Sequence, residues 1–211
     1  QKNGAVMSHV RLSDDPEQVF GTRVGTGMAD LVLGFDMVVA AGKEAVNAMS
    51  GDRTTALIND HLVPLAAFAE RPDMPLSAAG YTDVIRARIG TERTRFINAT
   101  YLATHLMGDS ITSNIFMMGY AFQHGFIPLS LGSIQKAIDL NGVSVESNQR
   151  AFSWGRVAAA DIGYVAGVAG GTGELTANVA FDLDGFITAK TTDLAAYQNQ
   201  AYGDRYRRRV A

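Results

Sequence analysis

The first half of the chain alternates between apolar runs and helix-like segments. Nearly continuous apolar runs, typical of strands covered on both faces, occur at residues 31–41 and 55–58, and a third short run follows at 95–97. Residues 43–49 and 81–89 have the length and spacing of helices between these runs. Because strands and helices alternate, we predict a parallel sheet with crossover helices.

The amino-terminal residues predict one more strand followed by loops. Residues 5–11 alternate weakly between apolar and polar side chains and include good strand formers. Residues 12–16 are rich in turn formers, and the glycines of residues 20–27 are too frequent for regular structure. We therefore expect a strand over 5–11 and loops up to residue 27.

Beyond Asn98 the apolar positions repeat with the 3.6-residue period of helices. Asp109 or Ser110 is placed to cap a first helix, and Ser130 to cap a second, which Gly142 ends. The apolar stripe of the first helix consists of Ile111, Ile115, Met118 and Phe122. The last third of the chain is therefore predicted to be mostly helical.

A glycine-rich stretch near the carboxyl terminus sets the predicted domain division. Residues 163–173 contain five glycines, whose entropic cost favours a flexible connector. A final helix with a basic end follows. We therefore predict a domain over 1–160, a connector over 161–188 and a helix over 189–211. The fold class is α/β: an incomplete doubly wound, Rossmann-like, mostly parallel sheet with a helical carboxyl-terminal third.

Composition excludes several classes of function. Eighteen basic against 21 acidic residues give a net charge of −3, too balanced for a protein that binds nucleic acid. The longest apolar stretch is interrupted by Asp30 and Asp36, so we expect no membrane span. The sequence has no cysteine, and it therefore offers no disulfide, thiol nucleophile or thiolate ligand for an iron–sulfur cluster.

The histidines and glycines form no recognisable motif for catalysis or metal binding. The four histidines show neither HExxH nor paired metal-ligand spacing, so we assign no catalytic residue and no metal site. The sequence Gly25-Thr26-Gly27 lacks the third glycine and the preceding strand of a dinucleotide fingerprint. The glycines at 170–173 come after the sheet. Turn chemistry is the commoner reason for such glycines.

The polar residues that follow the apolar runs are the positional candidates for a site. Ligands of open parallel sheets bind beyond the carboxyl ends of the strands. Lys43 has two open interpretations: it contributes to a site, or it pairs at the surface with Glu44 or Asp36. The complete set of such candidates is Lys43, Glu44, Asn59, Asp60, His61, Asn98 and Thr100.

Four blocks of the sequence resemble a known family. They are QKNGAVMSHVRLSDDP from Gln1, RVGTGMADLVLGFDMVVAAGKEA from Arg23, the long block GDSITSNIFMMGYAFQHGFIPLSLGSIQKAIDLNGVSVESNQRAFSWGR from Gly108, and LAAYQNQAYGDRYRRRV from Leu194. These blocks are similar to the gamma-type domain of 2-oxoacid:ferredoxin oxidoreductases. The similarity is closest to the carboxyl-terminal part of the fused bacterial indolepyruvate ferredoxin oxidoreductases.

The resemblance implies a function for the chain as one part of an enzyme. Such enzymes oxidatively decarboxylate arylpyruvates to acyl-CoA thioesters with coenzyme A as co-substrate, and they pass electrons to ferredoxin. Thiamine diphosphate, Mg and iron–sulfur clusters would lie outside this segment. The segment itself, inactive alone, would shape the substrate and coenzyme A cleft. Its partners would be thiamine-binding and ferredoxin-like domains or subunits in a cytoplasmic, dimeric assembly.

The sequence departs from this family in two places. Family members begin this domain with a strand, a Gly-rich turn, a helix and a second strand before the position of Gln1, so we expect a fragment or a sheet completed by a neighbour. The second departure is Asn3, where the family usually has glycine. The turn Lys2-Asn3-Gly4 is still a candidate for holding a phosphate or carboxylate.

The predicted cofactor-binding residues therefore combine positional candidates with candidates from the resemblance. Ser8 and Asn114 are the weaker members, and Asn114 is otherwise read as a polar residue in the first turn of its helix. A different class of function stays open, namely a free-standing Rossmann-type module that binds a nucleotide or acyl-CoA without redox chemistry. The full predicted set is Lys2, Asn3, Gly4, Ser8, Lys43, Asn59 and Asn114.

Overall fold

The computed structural model of the protein describes residues 5–19, 21–62, 78–170, 187–188, 191–192, 195 and 199–210. The chain forms two compact units, Gln1–Gly173 and Glu174–Ala211. The predicted turn at Lys2, Asn3 and Gly4 lies outside the described residues. None of the described helices has the length and apolar character needed to cross a membrane.

Three parallel strands form the sheet of the first unit: β1 (Leu31–Gly34), β2 (Thr55–Asn59) and β3 (Thr94–Ile97). They lie in the order β1-β2-β3, and β2 pairs with both neighbours. Successive side chains of a strand point to opposite faces, so Leu57 packs into one hydrophobic cluster and Ile58 into another. Both faces are covered, which confirms the prediction of an incomplete Rossmann-like α/β fold.

The prediction of one strand over residues 31–41 is wrong, because Asp36 divides that apolar run. Strand β1 ends two residues before Asp36, and helix α1 (Met37–Ala40) begins directly after it. The Asp36 carboxylate accepts a hydrogen bond from the Val39 N–H at 3.0 Å, which satisfies a helix donor that has no backbone partner. Helix α2 (Lys43–Ala48) then leads towards β2, as predicted.

Helices on the two faces of the sheet belong to the two hydrophobic clusters. Helix α3 (Ala78–Ile89) precedes β3 and packs Ile85 and Ile89 with residues of α1 and α2. Helix α4 (Ala99–Met107) follows β3 and contributes Leu102 to the cluster around Leu57. The helices of the two crossovers, α1 to α3, therefore cover one face of the sheet, and α4, which follows the last strand, covers the other.

The predicted strand over residues 5–11 does not form among the described residues. The alternation that suggested it is nevertheless present, because Val6 and Val10 are 80% and 75% exposed while Met7 packs against the cluster that contains Ile58. The His9 imidazole Nδ1 accepts a hydrogen bond from the Val24 N–H at 3.1 Å. A strand requires a partner for its backbone groups, and no described strand pairs with this segment.

The helical region predicted after Asn98 is confirmed. Ser130 caps the second predicted helix by accepting a hydrogen bond from Ser133 N–H, and Gly142 ends that helix with a φ of 70°. Asp109 instead caps a short 3-10 turn, Ser110–Thr112. The helices are α5 (Ser113–Gln123), α6 (Leu131–Asn141), α7 (Val145–Ala160) and α8 (Ile162–Val168).

The apolar stripe predicted for α5 is confirmed at three of its four positions. Ile115, Met118 and Phe122 pack with the small cluster that α5 forms with α6 and α7. Ile111 lies outside this cluster, because the helix begins only at Ser113 and the Ile111 side chain is 78% exposed.

Two glycines allow α5 and α7 to approach more closely than side chains would permit. A Cβ atom on Gly119 would collide with the Phe152 carbonyl oxygen, and one on Gly155 with the Phe116 carbonyl oxygen. The close approach seals Phe116 and Phe152 from solvent. Such backbone contact makes the helix pair intolerant of any added atom.

The prediction of a flexible, glycine-rich connector from residue 161 is wrong over the described residues, because helix α8 occupies its first part. The Asp161 carboxylate accepts a hydrogen bond from Tyr164 N–H at 2.8 Å, and Val165 is fully buried. Cap and burial offset the entropic cost of the glycines. Residues 171–186 lie outside the described part. In the second unit, helix α9 (Gln200–Val210) lies within the residues 189–211 for which we predict a carboxyl-terminal helix.

Gly155→Ala should destabilise the protein by about 3 kcal/mol, because the methyl group would push α7 away from α5. The matched control is Gly132→Ala on α6, where an added Cβ meets nothing within 4 Å. That change should stabilise the helix by about 0.5 kcal/mol. Chemical denaturation of both variants measures the difference; equal effects would contradict the proposed close packing.

Candidate functional site

The carboxyl ends of the three strands meet at one edge of the sheet, where open parallel sheets bind ligands. This carboxyl edge consists of the last residue of β2 and the residues that follow the three strands: Phe35 and Asp36, Asn59 to His61, and Asn98 to Thr100. The edge therefore includes most of the positional candidates, and the structure gives each a different role.

Asn59 connects all three strand ends through its side-chain amide. It is only 4% exposed. Its Nδ2 donates to the Phe35 carbonyl oxygen at 3.2 Å and to the Thr100 hydroxyl at 2.8 Å. Its Oδ1 accepts from the Ala99 N–H at 3.1 Å. These groups belong to the segment after β1 and to the start of α4, so one buried side chain of β2 holds the edge together. The predicted contact of Asn59 with a cofactor stays a prediction.

The amino terminus of α4 is already satisfied by asparagine side chains. Asn59 Oδ1 accepts from the Ala99 and Thr100 N–H groups, and the Asn98 carboxamide accepts from Tyr101 N–H at 2.9 Å. Rossmann-type modules bind phosphate through free N–H groups at a helix start. Because these donors are occupied, the start of α4 does not offer such a phosphate site, and the nucleotide-module hypothesis gains no support here.

The side chain of Asp60 has the most unusual environment at the carboxyl edge. Its Oδ1 is buried and has no hydrogen-bond partner in the part of the chain that the structure describes. Burial raises the pKa of the carboxyl group to about 6. Its backbone N–H donates to the Ile97 carbonyl oxygen at 3.2 Å, which fixes the main chain beneath the side chain.

A half-buried acid with this pKa can change its protonation state near neutral pH. It can therefore donate a hydrogen bond when neutral and accept one when ionised. The sequence placed Asp60 among the polar residues after β2 but did not distinguish it from Asn59. The only sequence signal was an acidic residue directly after a buried strand.

Lys43 is free of the surface pairings that the sequence left open. Glu44 forms its ion pair with Arg23 at 3.7 Å, and Asp36 is engaged as the cap of α1. Among the described residues Lys43 makes no ion pair or hydrogen bond, and it begins α2 on the connection that leaves β1. Its ammonium group is therefore available for an anionic ligand.

The remaining candidates lie at separate places. Ser8 is exposed in the amino-terminal segment, and Asn114 is exposed in the first turn of α5. His61 is exposed after Asp60, with its N–H at 3.4 Å from Asn59 Oδ1. No described contact joins Ser8 or Asn114 to Asn59, so a shared site for these residues stays a prediction. Within the described ranges, no three His, Cys, Asp or Glu residues are grouped to hold a metal ion.

Asp60→Asn should stabilise the protein at pH 8 by about 1–2 kcal/mol. The folded chain prefers the neutral carboxyl, so its stability falls as the pH rises from the ordinary pKa of 3.8 to about 6. The full cost is present above pH 6 and absent below 3.8. The full shift would correspond to about 3 kcal/mol, which we reduce because solvent reaches part of the group.

The measurement is the free energy of unfolding of both proteins from pH 4 to pH 8. The advantage of the variant should shrink as the pH falls and vanish near pH 4. Asp83→Asn, which removes an exposed carboxylate from α3, should change stability by less than about 0.5 kcal/mol. A pH-independent difference between wild type and Asp60→Asn would show that the carboxyl is not desolvated.

Comparison with known proteins identifies a family. No curated protein and no solved structure matches the chain. The family model of pyruvate ferredoxin/flavodoxin oxidoreductase matches residues 1–158. That span contains the whole sheet, its carboxyl edge and α1 to α6. Because the match covers 158 of the 211 residues, the chain belongs to the pyruvate ferredoxin/flavodoxin oxidoreductase family.

Proposed function

We propose that the chain is the gamma-type component of an arylpyruvate:ferredoxin oxidoreductase, of the kind that acts on indolepyruvate. Its family makes it a component of a 2-oxoacid:ferredoxin oxidoreductase. The reaction would be oxidative decarboxylation of the 2-oxoacid to its acyl-CoA thioester, with the electrons passed to ferredoxin. The carboxyl edge of the sheet would form one wall of the substrate and coenzyme A cleft.

The observation that supports this role most strongly is Asp60 at the carboxyl edge. An acid whose Oδ1 is buried without a partner destabilises the folded chain. Such costs concentrate at functional sites, where a ligand supplies the missing interaction. Asn59 ties the end of β2, which Asp60 follows, to Phe35 after β1 and to Ala99 at the start of α4, so the carboxyl group would have a fixed position from which to meet a ligand.

Lys43 would add a positive charge to the cleft. Coenzyme A has phosphate groups and 2-oxoacids have a carboxylate, and both form charge-assisted hydrogen bonds with an ammonium group. The lysine has no competing acidic partner among the described residues. Asp60 would meet the uncharged amide and hydroxyl groups of the ligand, because an ionised carboxylate repels phosphate.

The redox groups would belong to other parts of the enzyme. The chain contains no cysteine, so its donor set does not fit a thiolate-bound iron–sulfur cluster. The described residues likewise offer no cluster of carboxylates for the Mg of thiamine diphosphate. We therefore assign both to thiamine-binding and ferredoxin-like domains or subunits, with which this chain would form a dimeric assembly.

The native assembly purified through this chain should contain iron and thiamine and should oxidise indolepyruvate in a coenzyme A-dependent reaction. Within it, Lys43→Ala should raise the KM for coenzyme A about tenfold with little change in kcat, because one charged contact is lost. Steady-state kinetics over a range of coenzyme A concentrations measures both constants.

The matched control for this experiment is Lys136→Ala, which removes an exposed lysine from α6. The control should leave the KM for coenzyme A unchanged. Equal KM values for the two variants would exclude Lys43 from the cleft. A purified assembly without iron and thiamine would contradict the oxidoreductase proposal itself.

A further inference from the structure

The corner between α6 and α7 is exposed and has an unusual backbone conformation. It consists of Asn141, the last residue of α6, and of Gly142, Val143 and Ser144, all of them exposed. Gly142 has a φ of 70°, and a Cβ atom built on it meets nothing within 4 Å. Ser144, with a φ of 47°, is the single non-glycine residue with a positive φ among the described residues. The corner is therefore open and strained.

The side-chain amide of Asn141 is not held in place by a hydrogen bond. It has no hydrogen-bond partner among the described residues. By contrast, the Asn98 carboxamide accepts from Tyr101 N–H at 2.9 Å, and Asn148 Nδ2 donates to the Val143 carbonyl oxygen at 2.9 Å. An amide that is fixed by such a bond cannot turn towards the main chain without losing it, whereas the Asn141 amide can.

The backbone nitrogen that follows Asn141 belongs to a glycine. The sequence has one other asparagine followed by glycine, Asn3-Gly4, which lies outside the described residues. Because glycine has no side chain, nothing on residue 142 hinders the approach of its nitrogen to Asn141 Cγ. The Gly142 N–H donates to the Asp139 carbonyl oxygen at 3.2 Å, in the last turn of the helix. Helix ends open locally, and each opening frees this nitrogen.

We propose that Asn141 is a site of spontaneous deamidation, a covalent modification that the folded chain allows at this corner. The deprotonated Gly142 nitrogen attacks Asn141 Cγ. The new C–N bond closes a succinimide ring, and the side-chain nitrogen leaves as ammonia. Water then adds to either ring carbonyl group and opens the ring, which gives aspartate or isoaspartate. The net change replaces NH2 with OH and consumes only water. It needs no ligand and no turnover, so it is independent of the proposed function.

The modification would weaken the attachment of α6. The product has a carboxylate at the carboxyl end of the helix, where the helix dipole disfavours a negative charge. Asp139 in the same turn and Glu146 at the start of α7 are acidic as well. Isoaspartate also lengthens the main chain by one carbon atom. Because α6 packs through Ile134 and Ile138 in a small cluster, we expect its amides to exchange faster after conversion.

The test incubates the 211-residue chain at pH 8 and follows each asparagine by peptide mass spectrometry. Asn141 should convert about tenfold faster than Asn98 and Asn148, which corresponds to a barrier lower by about 1.4 kcal/mol. Isoaspartate should form together with aspartate, because it arises only from the ring. The reaction should be slower at pH 6, since the Gly142 nitrogen must lose its proton.

Two comparisons make the result specific to the folded corner. Asn141→Gln keeps an amide but places it one carbon further from the Gly142 nitrogen. This variant should convert much more slowly at residue 141 and should keep the hydrogen-exchange protection of α6 that the incubated wild type loses. The wild-type chain in denaturant gives the rate of conversion without the fold.

Two results would overturn the proposal. One is conversion of Asn141 no faster than that of Asn148 in the folded protein. The other is conversion in denaturant together with none in the folded protein, which would show that the bond to Asp139 keeps the Gly142 nitrogen unreactive. Equal protection of α6 in the incubated wild type and in Asn141→Gln would contradict the effect on the helix.

Discussion

The side-chain amide of Asn59 is the interaction on which the carboxyl edge of the sheet depends. It joins the end of β1 at Phe35, the end of β2 at its own position, and the start of α4 at Ala99 and Thr100. A parallel sheet has no hairpins to align its strand ends, so their relative positions must be fixed by long crossovers or by side chains. Asn59 supplies that constraint from a buried position, where a lost hydrogen bond is expensive.

This constraint gives Asp60 its unusual environment. The residue directly after Asn59 has little freedom to turn towards solvent, since its own N–H is bonded to Ile97. One carboxyl oxygen therefore stays buried without a partner. Stability elsewhere comes from tight packing, above all the glycine-mediated contact of α5 with α7. The molecule thus combines a closely packed helical layer with a carboxyl edge at which one buried carboxyl oxygen has no partner among the described residues.

Much of the fold could be predicted from the sequence, because local patterns determine it. The strands at 55–58 and 95–97 and the capped helix from Ser130 to Gly142 follow from short-range periodicity and turn chemistry. The errors have equally local causes. Asp36 interrupts an apolar run because it caps a helix. In α8, the Asp161 cap and the buried Val165 side chain offset the entropic cost of the glycines.

The candidate sites were less predictable, because they depend on contacts between distant residues. The sequence could place Asn59 and Asp60 after a strand, but burial and hydrogen bonding decide that the first is structural and the second chemically unusual. The resemblance to 2-oxoacid:ferredoxin oxidoreductases agrees with the family match, while its arylpyruvate specificity stays a proposal.

Hydrogen exchange on Asn59→Ala tests the central role of this residue most directly. The variant should lose exchange protection at the Ala99 and Thr100 amides and should be less stable than the wild type by about 2–4 kcal/mol, because the Asn59 hydrogen bonds are lost in a buried place. Unchanged protection at both amides, with stability within about 0.5 kcal/mol of the wild type, would contradict the account.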